Sequence, residues 1–269
     1  MFQKLKRSLN RHLFGKDPEY HDPYEDPAEQ FYARIYLRYL EEQIGIRFRN
    51  QPASILDVGC HTGRLSVPLA RAGHRVTAID SSRFHLKRAE RHAREEGTQC
   101  QFMRGDAFQR ILHFKPESFD LVLCTEVLYQ RPDFREQMEK LLRLVNSGGL
   151  LATSHRTLFF YLSGALASRD WDEARSILGH SEGEIQGSYF NWQTPEEIRD
   201  LYRGLGVELL TLRPIGAFTG NGEEGMARIC DLAGTTELER RQLFEIESCD
   251  REEFSVLGRY LFAIGRKTA

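Results

Sequence analysis

The sequence lacks any apolar run approaching the eighteen or so residues that a membrane-spanning helix needs, so no such helix is predicted. Its first residues also lack the apolar core and cleavage pattern of a secretory signal peptide. Only five of its 269 residues are cysteines, an odd number, and no two of them have the CxxC spacing. Reduced thiols in the cytoplasm are therefore expected, and a disulfide framework or a bound metal is not.

An excess of charge of either sign is also missing. The chain has 37 basic and 39 acidic side chains, which give a formal net charge of −2 at pH 7. A near-neutral chain offers no global attraction for a phosphate backbone, so no nucleic-acid partner is expected. The content of 41% hydrophobic and 28% charged residues is typical of a globular protein that buries a sizeable core.

Residues 1–16 differ from the rest, because they carry five basic side chains and no acidic one. Phe2, Leu5, Leu9 and Leu13 recur there at helical spacing, opposite the basic residues. This pattern is typical of a helix that lies on a membrane surface, or of a transit peptide. A terminal helix packed on the body, or a frayed tail, would have the same pattern.

Beyond the first fifty residues, strand and helix patterns alternate at short spacing. This alternation predicts an α/β fold with a doubly wound, seven-stranded, mainly parallel sheet. We expect a helical extension or cover over residues 1–50 and one domain over residues 51–269. The alternation of strands and helices is interrupted at about residues 158–190 and 215–252, which we interpret as insertions above the C-terminal edge of the sheet. The predicted strands read ASILDV, HRVTAID, CQFMRGDA, FDLVLCTE, GLLATSH, VELLTLRP and SVLGRYLFAIGRK.

The stretch "LDVGCHTG" places Gly59 and Gly63 between the first strand and the helix that follows it. A glycine loop at that position indicates a ligand lying across the helix start. The dinucleotide fingerprint G-x-G-x-x-G would need glycines where His61 and Arg64 stand. The P-loop spacing G-x-x-x-x-G-K is not met either, so neither kind of phosphate cradle is favoured.

Three acidic residues end three successive predicted strands: Asp57, Asp80 and Asp106. Because the carboxyl ends of parallel strands meet at one edge of a sheet, these carboxylates should lie near the glycine loop. Asp80 stands where an acid that pairs with ribose hydroxyls is expected. Any one of these acids could equally be a strand end or a helix cap, but the three together suit a cationic nucleoside.

Five stretches in this order resemble the motifs of class I S-adenosylmethionine-dependent methyltransferases: LDVGCHTG, VTAIDSS, RGDAF, FDLVLCTEVLYQ and LLRLVNSGGLLATSH. The resemblance covers residues 54–155 and the final strands, and is greatest to members that act on small molecules such as quinone precursors and natural products. One departure is His61, where many members have glycine. Since glycine is absent there, we expect an ordinary backbone conformation at His61.

The resemblance implies that the cofactor is S-adenosylmethionine and the product S-adenosylhomocysteine. The glycine loop would lie at the methionine end, the acid of the second strand at the ribose, and the end of the third strand at the adenine. The end of the fourth strand would line the passage from the sulfonium to the acceptor. The implied cofactor-binding residues are Asp57, Gly59, Cys60, Gly63, Asp80, Ser81, Asp106, Ala107, Cys124 and Thr125.

On the acceptor side, we expect methyl transfer to an oxygen or nitrogen of a small aromatic or partly apolar molecule. His155, at the outer end of the fifth strand, is the candidate general base. A structural histidine, whose ring is hydrogen-bonded within the fold at a strand end, would have the same pattern. A nucleic-acid or protein methyltransferase and a non-catalytic cofactor-binding module are the alternatives. The candidate acceptor-binding residues are Tyr24, Tyr32, Arg156, Tyr161, Tyr189 and Trp192.

Overall fold

The computed structural model describes residues 22–49, 51–185, 187–220, 229–249 and 251–268. The basic segment 1–16 lies outside the described residues, so its membrane contact stays a prediction. Within the described ranges, no helix is both long enough and apolar enough to cross a bilayer.

Seven strands form one sheet, and two more form a separate hairpin. The sheet strands are β1 (Ser54–Val58), β2 (Arg75–Asp80), β3 (Gln101–Arg104), β4 (Phe119–Cys124), β5 (Val145–Arg156), β8 (Val207–Ile215) and β9 (Tyr260–Lys267). The hairpin strands are β6 (Glu182–Ile185) and β7 (Ser188–Asn191). The sheet order is β3-β2-β1-β4-β5-β9-β8, in which β1 to β5 run parallel and β9 is antiparallel to both neighbours. The predicted seven-stranded, mainly parallel sheet is confirmed.

Helices cover both faces of this sheet. They are α1 (Pro27–Phe48), α2 (Ser66–Arg71), α3 (Arg83–Glu95), α4 (Ala107–Arg110), α5 (Phe134–Leu144), α6 (Leu158–Ser168), α7 (Trp171–Gly179), α8 (Pro195–Gly204) and α9 (Glu237–Glu247). Short 3-10 turns occupy Ile111–His113, Leu128–Gln130, Leu232–Gly234 and Glu252–Leu257. The start of α8 has the capping box that its sequence predicts, between Thr194 and Glu197.

Each face of the sheet has its own hydrophobic core, because successive side chains of a strand point to opposite faces. In β1, Ile55 belongs to one core and Leu56 to the other. Helix α1 packs on the first face, where the Tyr36 ring meets Phe262 edge-on at 4.8 Å between centroids. The described part of the predicted N-terminal extension is therefore an integral layer of the domain.

Both predicted insertions leave the sheet at its C-terminal edge. The first follows β5, which ends at Arg156, and the second follows β8, which ends at Ile215. Ile215 and Arg156 each pair with Tyr260, so these two strand ends lie at the same level of the sheet. Helices α6 and α7 and the β6–β7 hairpin occupy the first insertion, and the sequence pattern does not predict them.

Candidate functional site

A cavity of about 210 Å³ lies at the C-terminal edge of the sheet, where α1, the glycine loop, and the ends of β4 and β9 meet. It joins the loop after β1 to the segment after β4 in one continuous space. The lining residues are Pro23, Glu29, Asp57, Gly59, Cys60, His61, Arg64, Leu65, Thr125, Glu126, Tyr129, Arg259 and Tyr260.

The backbone of the glycine loop turns through conformations that favour glycine. Gly59 and Gly63 have φ of 87° and 86°, in the left-handed region. A Cβ atom on Gly59 would lie 2.5 Å from Cγ2 of Val127, and one on Gly63 would lie 2.9 Å from Cγ2 of Val67. The packing of this turn therefore requires glycine at both positions, of which Gly59 lines the cavity and Gly63 does not.

We expect Gly59→Ala to destabilise the fold by more than the roughly 1–2 kcal/mol that a left-handed conformation costs an alanine. The added methyl group would also collide with Val127. Gly73→Ala is the matched control, because Gly73 has φ of 97° and nothing within 4 Å of its added Cβ. The measurement is urea unfolding of both variants. Equal losses of stability would contradict the tight contact between Gly59 and Val127.

His61 lies in the left-handed region, with φ of 50°. The expectation of an ordinary backbone conformation there is wrong. The turn imposes this conformation, which histidine tolerates better than most side chains do. Two contacts offset its cost: the imidazole stacks on that of His85 at 3.6 Å between centroids, and the His61 N–H donates to Asp80 Oδ2 at 3.0 Å.

Asp80, the last residue of β2, is fixed beside the glycine loop. Its Oδ1 accepts the N–H of Ser82 at 2.8 Å and lies 3.6 Å from Nδ1 of His85. Burial alone would raise the pKa of Asp80, but hydrogen bonds from His85 and Ser82 lower it below its usual value. The carboxylate is therefore ionised at neutral pH and, with about four acceptor positions, can take further hydroxyl donors.

Asp57 and Cys60 support the loop from beneath. The hydroxyl of Ser66 donates to the buried Asp57 carboxylate, which lowers the pKa of Asp57. Burial has the larger, opposite effect and raises this pKa to about 6. Cys60 is buried and lines the cavity. Burial raises the pKa of its thiol well above the usual value, so the sulfur is an inert wall at neutral pH.

Ser81, Asp106 and Ala107 follow the ends of β2 and β3 at the same edge of the sheet, outside the cavity lining. Ser81 and Asp106 are exposed, and Asp106 caps α4 by accepting the Gln109 N–H at 3.0 Å. Thr125 lines the cavity, whereas Cys124 is fully buried in the core of the opposite face. The predicted place of Cys124 beside the sulfonium is wrong, because strand alternation turns its side chain away.

A network of charged side chains spans the cavity, and sequence reasoning missed it. Arg64, just after the glycine loop, forms ion pairs with Glu29 of α1 and with Glu126, the latter at 2.6 Å. Glu126 Oε2 accepts the Tyr260 hydroxyl at 3.2 Å, and Arg259 Nη2 lies 3.9 Å from Glu29. The nearest sequence signal is the position of Glu126, directly after Thr125 at the end of β4.

Glu126 is held firmly in place. Its φ is 60°, an uncommon value outside glycine, and its N–H donates to Ser154 Oγ at 2.7 Å. Burial would raise its pKa, but the positive charges of Arg64 and Arg259 lower it. Glu126 is therefore an ionised carboxylate on the cavity wall.

His155 does not reach the cavity. Its fully buried side chain lies on the opposite face of the sheet, where Nε2 is 2.8 Å from Thr153 Oγ1 and the Phe134 ring packs against it. Burial lowers its pKa to about 3. The prediction that His155 is the general base is therefore wrong, because alternation along β5 directs residues 153 and 155 away from the cavity.

The side chain of Arg156, the next residue, points to the face of the sheet that carries the cavity, but it lies behind the residues that line the cavity. Its Cζ is 4.0 Å from the ring centroid of Tyr260 and 5.0 Å from that of Tyr129. Tyr161 and Trp192 form a further buried layer, with their rings 5.4 Å apart. These three predicted acceptor residues support the wall without lining it.

The other predicted acceptor residues contact neighbouring elements instead of the cavity. Tyr24 donates to Glu96, Tyr32 donates to the Thr219 carbonyl oxygen, and Tyr189 donates to Glu182. The aromatic side chains that do line the cavity are Tyr129 and Tyr260. Composition could not separate these two from the others, since all are tyrosines and only the folded chain decides which of them reach the cavity.

Comparisons with known proteins bear on this site. Residues 55–149 match the sequence profile of a methyltransferase domain. The ubiquinone biosynthesis O-methyltransferase of Caulobacter vibrioides is 36% identical over 132 residues, which cover 45% of this chain and 52% of that protein. The enzyme of the same description from Xylella fastidiosa is 38% identical over 130 residues, 48% and 51% of the two chains. The chain thus spans about half the length of these curated relatives.

Solved structures share the fold across nearly the whole chain. Magnesium protoporphyrin IX methyltransferase from Synechocystis, with bound S-adenosylhomocysteine, covers 99% of this chain and 100% of its own at a TM-score of 0.56 and 15% identity. Residues 55–149 are thus similar to a methyltransferase domain, and the chain shares the fold of this solved methyltransferase. A second such structure, 1,6-didemethyltoxoflavin-N1-methyltransferase from Burkholderia thailandensis, covers 100% of this chain and 89% of its own at a TM-score of 0.55 and 15% identity.

The matched profile includes nine of the thirteen residues that line the cavity. Gly59, Arg64 and Glu126 lie inside residues 55–149, whereas Glu29 and Arg259 lie outside them. The glycine loop and the end of β4 therefore lie within the matched residues. The flanking segments contribute Pro23, Glu29, Arg259 and Tyr260 to the lining.

Proposed function

We propose that this protein transfers the methyl group of S-adenosylmethionine to an oxygen or nitrogen of a small aromatic or partly apolar molecule. One observation carries the proposal: a single cavity joins the glycine loop to Thr125 and Glu126 at the end of β4. A cofactor lying on the loop would direct its methyl group into this space, where an acceptor can approach it. The ubiquinone biosynthesis O-methyltransferases among the relatives favour a small acceptor.

The residues present suit this cofactor. Gly59 and Gly63 would let the backbone approach its methionine end, and Asp80 would accept from both ribose hydroxyls. The adenine would lie on the open side, beside Ser81, Asp106 and Ala107. When bound, the cofactor supplies an activated methyl group, so the protein mainly has to align an acceptor and exclude water. Such alignment contributes on the order of 7–11 kcal/mol to lowering a barrier.

The shape of the cavity favours a small acceptor over a macromolecule. At about 210 Å³ it lies below the roughly 300–1,000 Å³ of typical ligand pockets, and α1 covers one side. The rings of Tyr129 and Tyr260 offer apolar faces to a planar molecule. We propose that the two insertions complete the acceptor side. The unpaired state of all five cysteines supports the cytoplasm as the location.

We expect Asp80→Ala to weaken binding of S-adenosylhomocysteine by about 1.5–3 kcal/mol, the usual worth of a hydrogen bond to a charged group. Calorimetry measures this loss. Asp80→Asn should lose less, because its amide oxygen can still accept. Asp200→Ala, on the exposed face of α8, is the control and should bind normally. Full affinity in Asp80→Ala would remove the ribose assignment, and binding of NADH in place of S-adenosylhomocysteine would overturn the proposed function.

The activity itself is tested with methyl-labelled S-adenosylmethionine. The protein is incubated separately with the small-molecule, RNA and protein fractions of a cell extract, and the labelled species is then isolated. We expect label in the small-molecule fraction. Label in RNA or protein would replace the proposed acceptor class, and cofactor binding without any transfer would indicate a non-catalytic module.

A further inference from the structure

A pair of stacked imidazoles joins the glycine loop to helix α3. The rings of His61 and His85 are 3.6 Å apart between centroids, with an angle of 29° between their planes. His61 lines the cavity, whereas His85, on α3, is not among the lining residues. Histidine is the side chain whose charge ordinarily changes between pH 5 and 8. The pair therefore places a variable charge on the cavity wall, within the loop that we assign to the cofactor.

The surroundings of this pair favour one added proton and oppose a second. Asp80 supplies the favourable charge, because its Oδ2 accepts the His61 N–H at 3.0 Å and its Oδ1 lies 3.6 Å from Nδ1 of His85. Two positively charged rings in stacking contact would repel each other strongly. The two imidazoles therefore share a single proton with the solvent, and its uptake adds one positive charge beside the glycine loop.

Other charged groups face the pair from several elements. In the cavity lining they are Glu29, Asp57, Glu126, Arg64 and Arg259. Outside the lining they are Asp80 at the end of β2, Arg88 and His92 on α3, and Asp22 before α1, which pairs with both of these α3 residues. Asp57 also changes its charge near neutral pH, because burial raises its pKa to about 6. A test of the pair must therefore separate its effect from that of Asp57.

The cofactor and its product differ by one positive charge. S-adenosylmethionine has a sulfonium, and loss of its methyl group leaves the neutral thioether of S-adenosylhomocysteine. Because the rest of the two molecules is the same, a charge on the cavity wall acts mainly on the first of them. Repulsion between two positive charges is screened less in a partly buried site than in water. A proton on the pair should therefore weaken binding of the sulfonium selectively, and by linkage a bound sulfonium should weaken binding of the proton.

We propose that the His61–His85 pair sets the preference of the site between the cationic cofactor and its neutral product. While the pair is uncharged, S-adenosylmethionine binds without repulsion from it, and a proton on the pair shifts the preference to S-adenosylhomocysteine. Acidification thus increases inhibition by the product. This inference rests on the proposed function, and it gives a role to the histidine at a position where many class I methyltransferases have glycine.

The test measures the dissociation constants of S-adenosylmethionine and S-adenosylhomocysteine by calorimetry at pH 8 and pH 5.5. On acidification, the ratio of the first constant to the second should rise at least about threefold more in the wild type than in His61→Gly. Glycine adopts the φ of 50° at this position readily, so the variant should fold. Asp57 and the amino group of the ligands are present in both measurements, so their titration cancels in this comparison.

A second variant and a control complete the test. His85→Gln should also reduce the pH dependence, because it removes the second ring and the Nδ1 atom near Asp80. His113→Gly, at an exposed position outside the cavity lining, is the control and should behave like the wild type. A wild-type ratio that does not change with pH, or the full wild-type dependence in either variant of the pair, overturns this inference alone. Absence of S-adenosylhomocysteine binding in the wild type at both pH values would overturn the proposed function together with it.

Discussion

Lowering the pH from 6.5 to 4 should remove about 3 kcal/mol of stability through His155 alone. The folded state holds this histidine neutral, with a pKa of about 3, because burial penalises its charged form. In the unfolded chain the pKa is about 6.5, so between these values the unfolded state binds a proton that the folded state does not. The contribution of His155 to the free energy of unfolding is fully present above pH 6.5. Below that pH it falls by about 1.4 kcal/mol per pH unit until the pKa of the folded state is reached.

Urea unfolding of the wild type and His155→Gln between pH 7 and pH 4 measures this effect. The variant, whose amide does not titrate, should lose about 3 kcal/mol less than the wild type over that range. His113→Gln, the same substitution at an exposed position, is the matched control. Parallel curves for the wild type and His155→Gln would show that the pKa of His155 is the same in the folded and unfolded states, which would contradict the prediction.

Glu126→Ala should destabilise the protein by about 3–5 kcal/mol, because it removes one partner of a buried ion pair. Arg64 would keep Glu29, but the Tyr260 hydroxyl would lose its acceptor. The expected loss is therefore at the lower end of this range. It is measured as the free energy of unfolding in urea at pH 7.

Glu208→Gln provides the matched control for that prediction. Glu208 pairs with Arg266 on the exposed face of the sheet edge, where an ion pair contributes about 0–1 kcal/mol. Glu126→Gln should lie between the two, since its amide can accept from Tyr260 without the charge. If Glu126→Ala lost no more than Glu208→Gln, the network across the cavity would contribute nothing to stability.

Much of the fold could be predicted because its information is local. Each strand of the main sheet is a short apolar run bounded by polar or glycine residues, and the seven predictions match β1 to β5, β8 and β9. Helix α6 was missed because its sequence LFFYLSGALAS is apolar on nearly every side and has no helical period. The β6–β7 hairpin was missed because each strand has only four residues.

The two halves of the site differed in how well the sequence predicted them. The position of the glycine loop and the strand-end acids could be predicted because they follow each other within about fifty residues of chain, and their binding of a cofactor stays a prediction. Which residues line the rest of the cavity depends on the face to which each side chain points, and one step along β5 separates His155 from Arg156. Glu29 and Arg259 are 230 positions apart, and only the folded chain brings them together.

The position of β9 in the sheet has a consequence for how the chain folds during synthesis. In the described sheet, β8 pairs with β9 alone, and β9 fills the space between β5 and β8. At about 5–20 residues per second, a ribosome needs roughly 3–10 s to pass from the end of β8 to the end of β9. During that interval β5 has an unpaired edge, and the nascent chain lacks Arg259 and Tyr260. Unpaired strand edges promote aggregation, so chaperone protection would be needed most in these seconds.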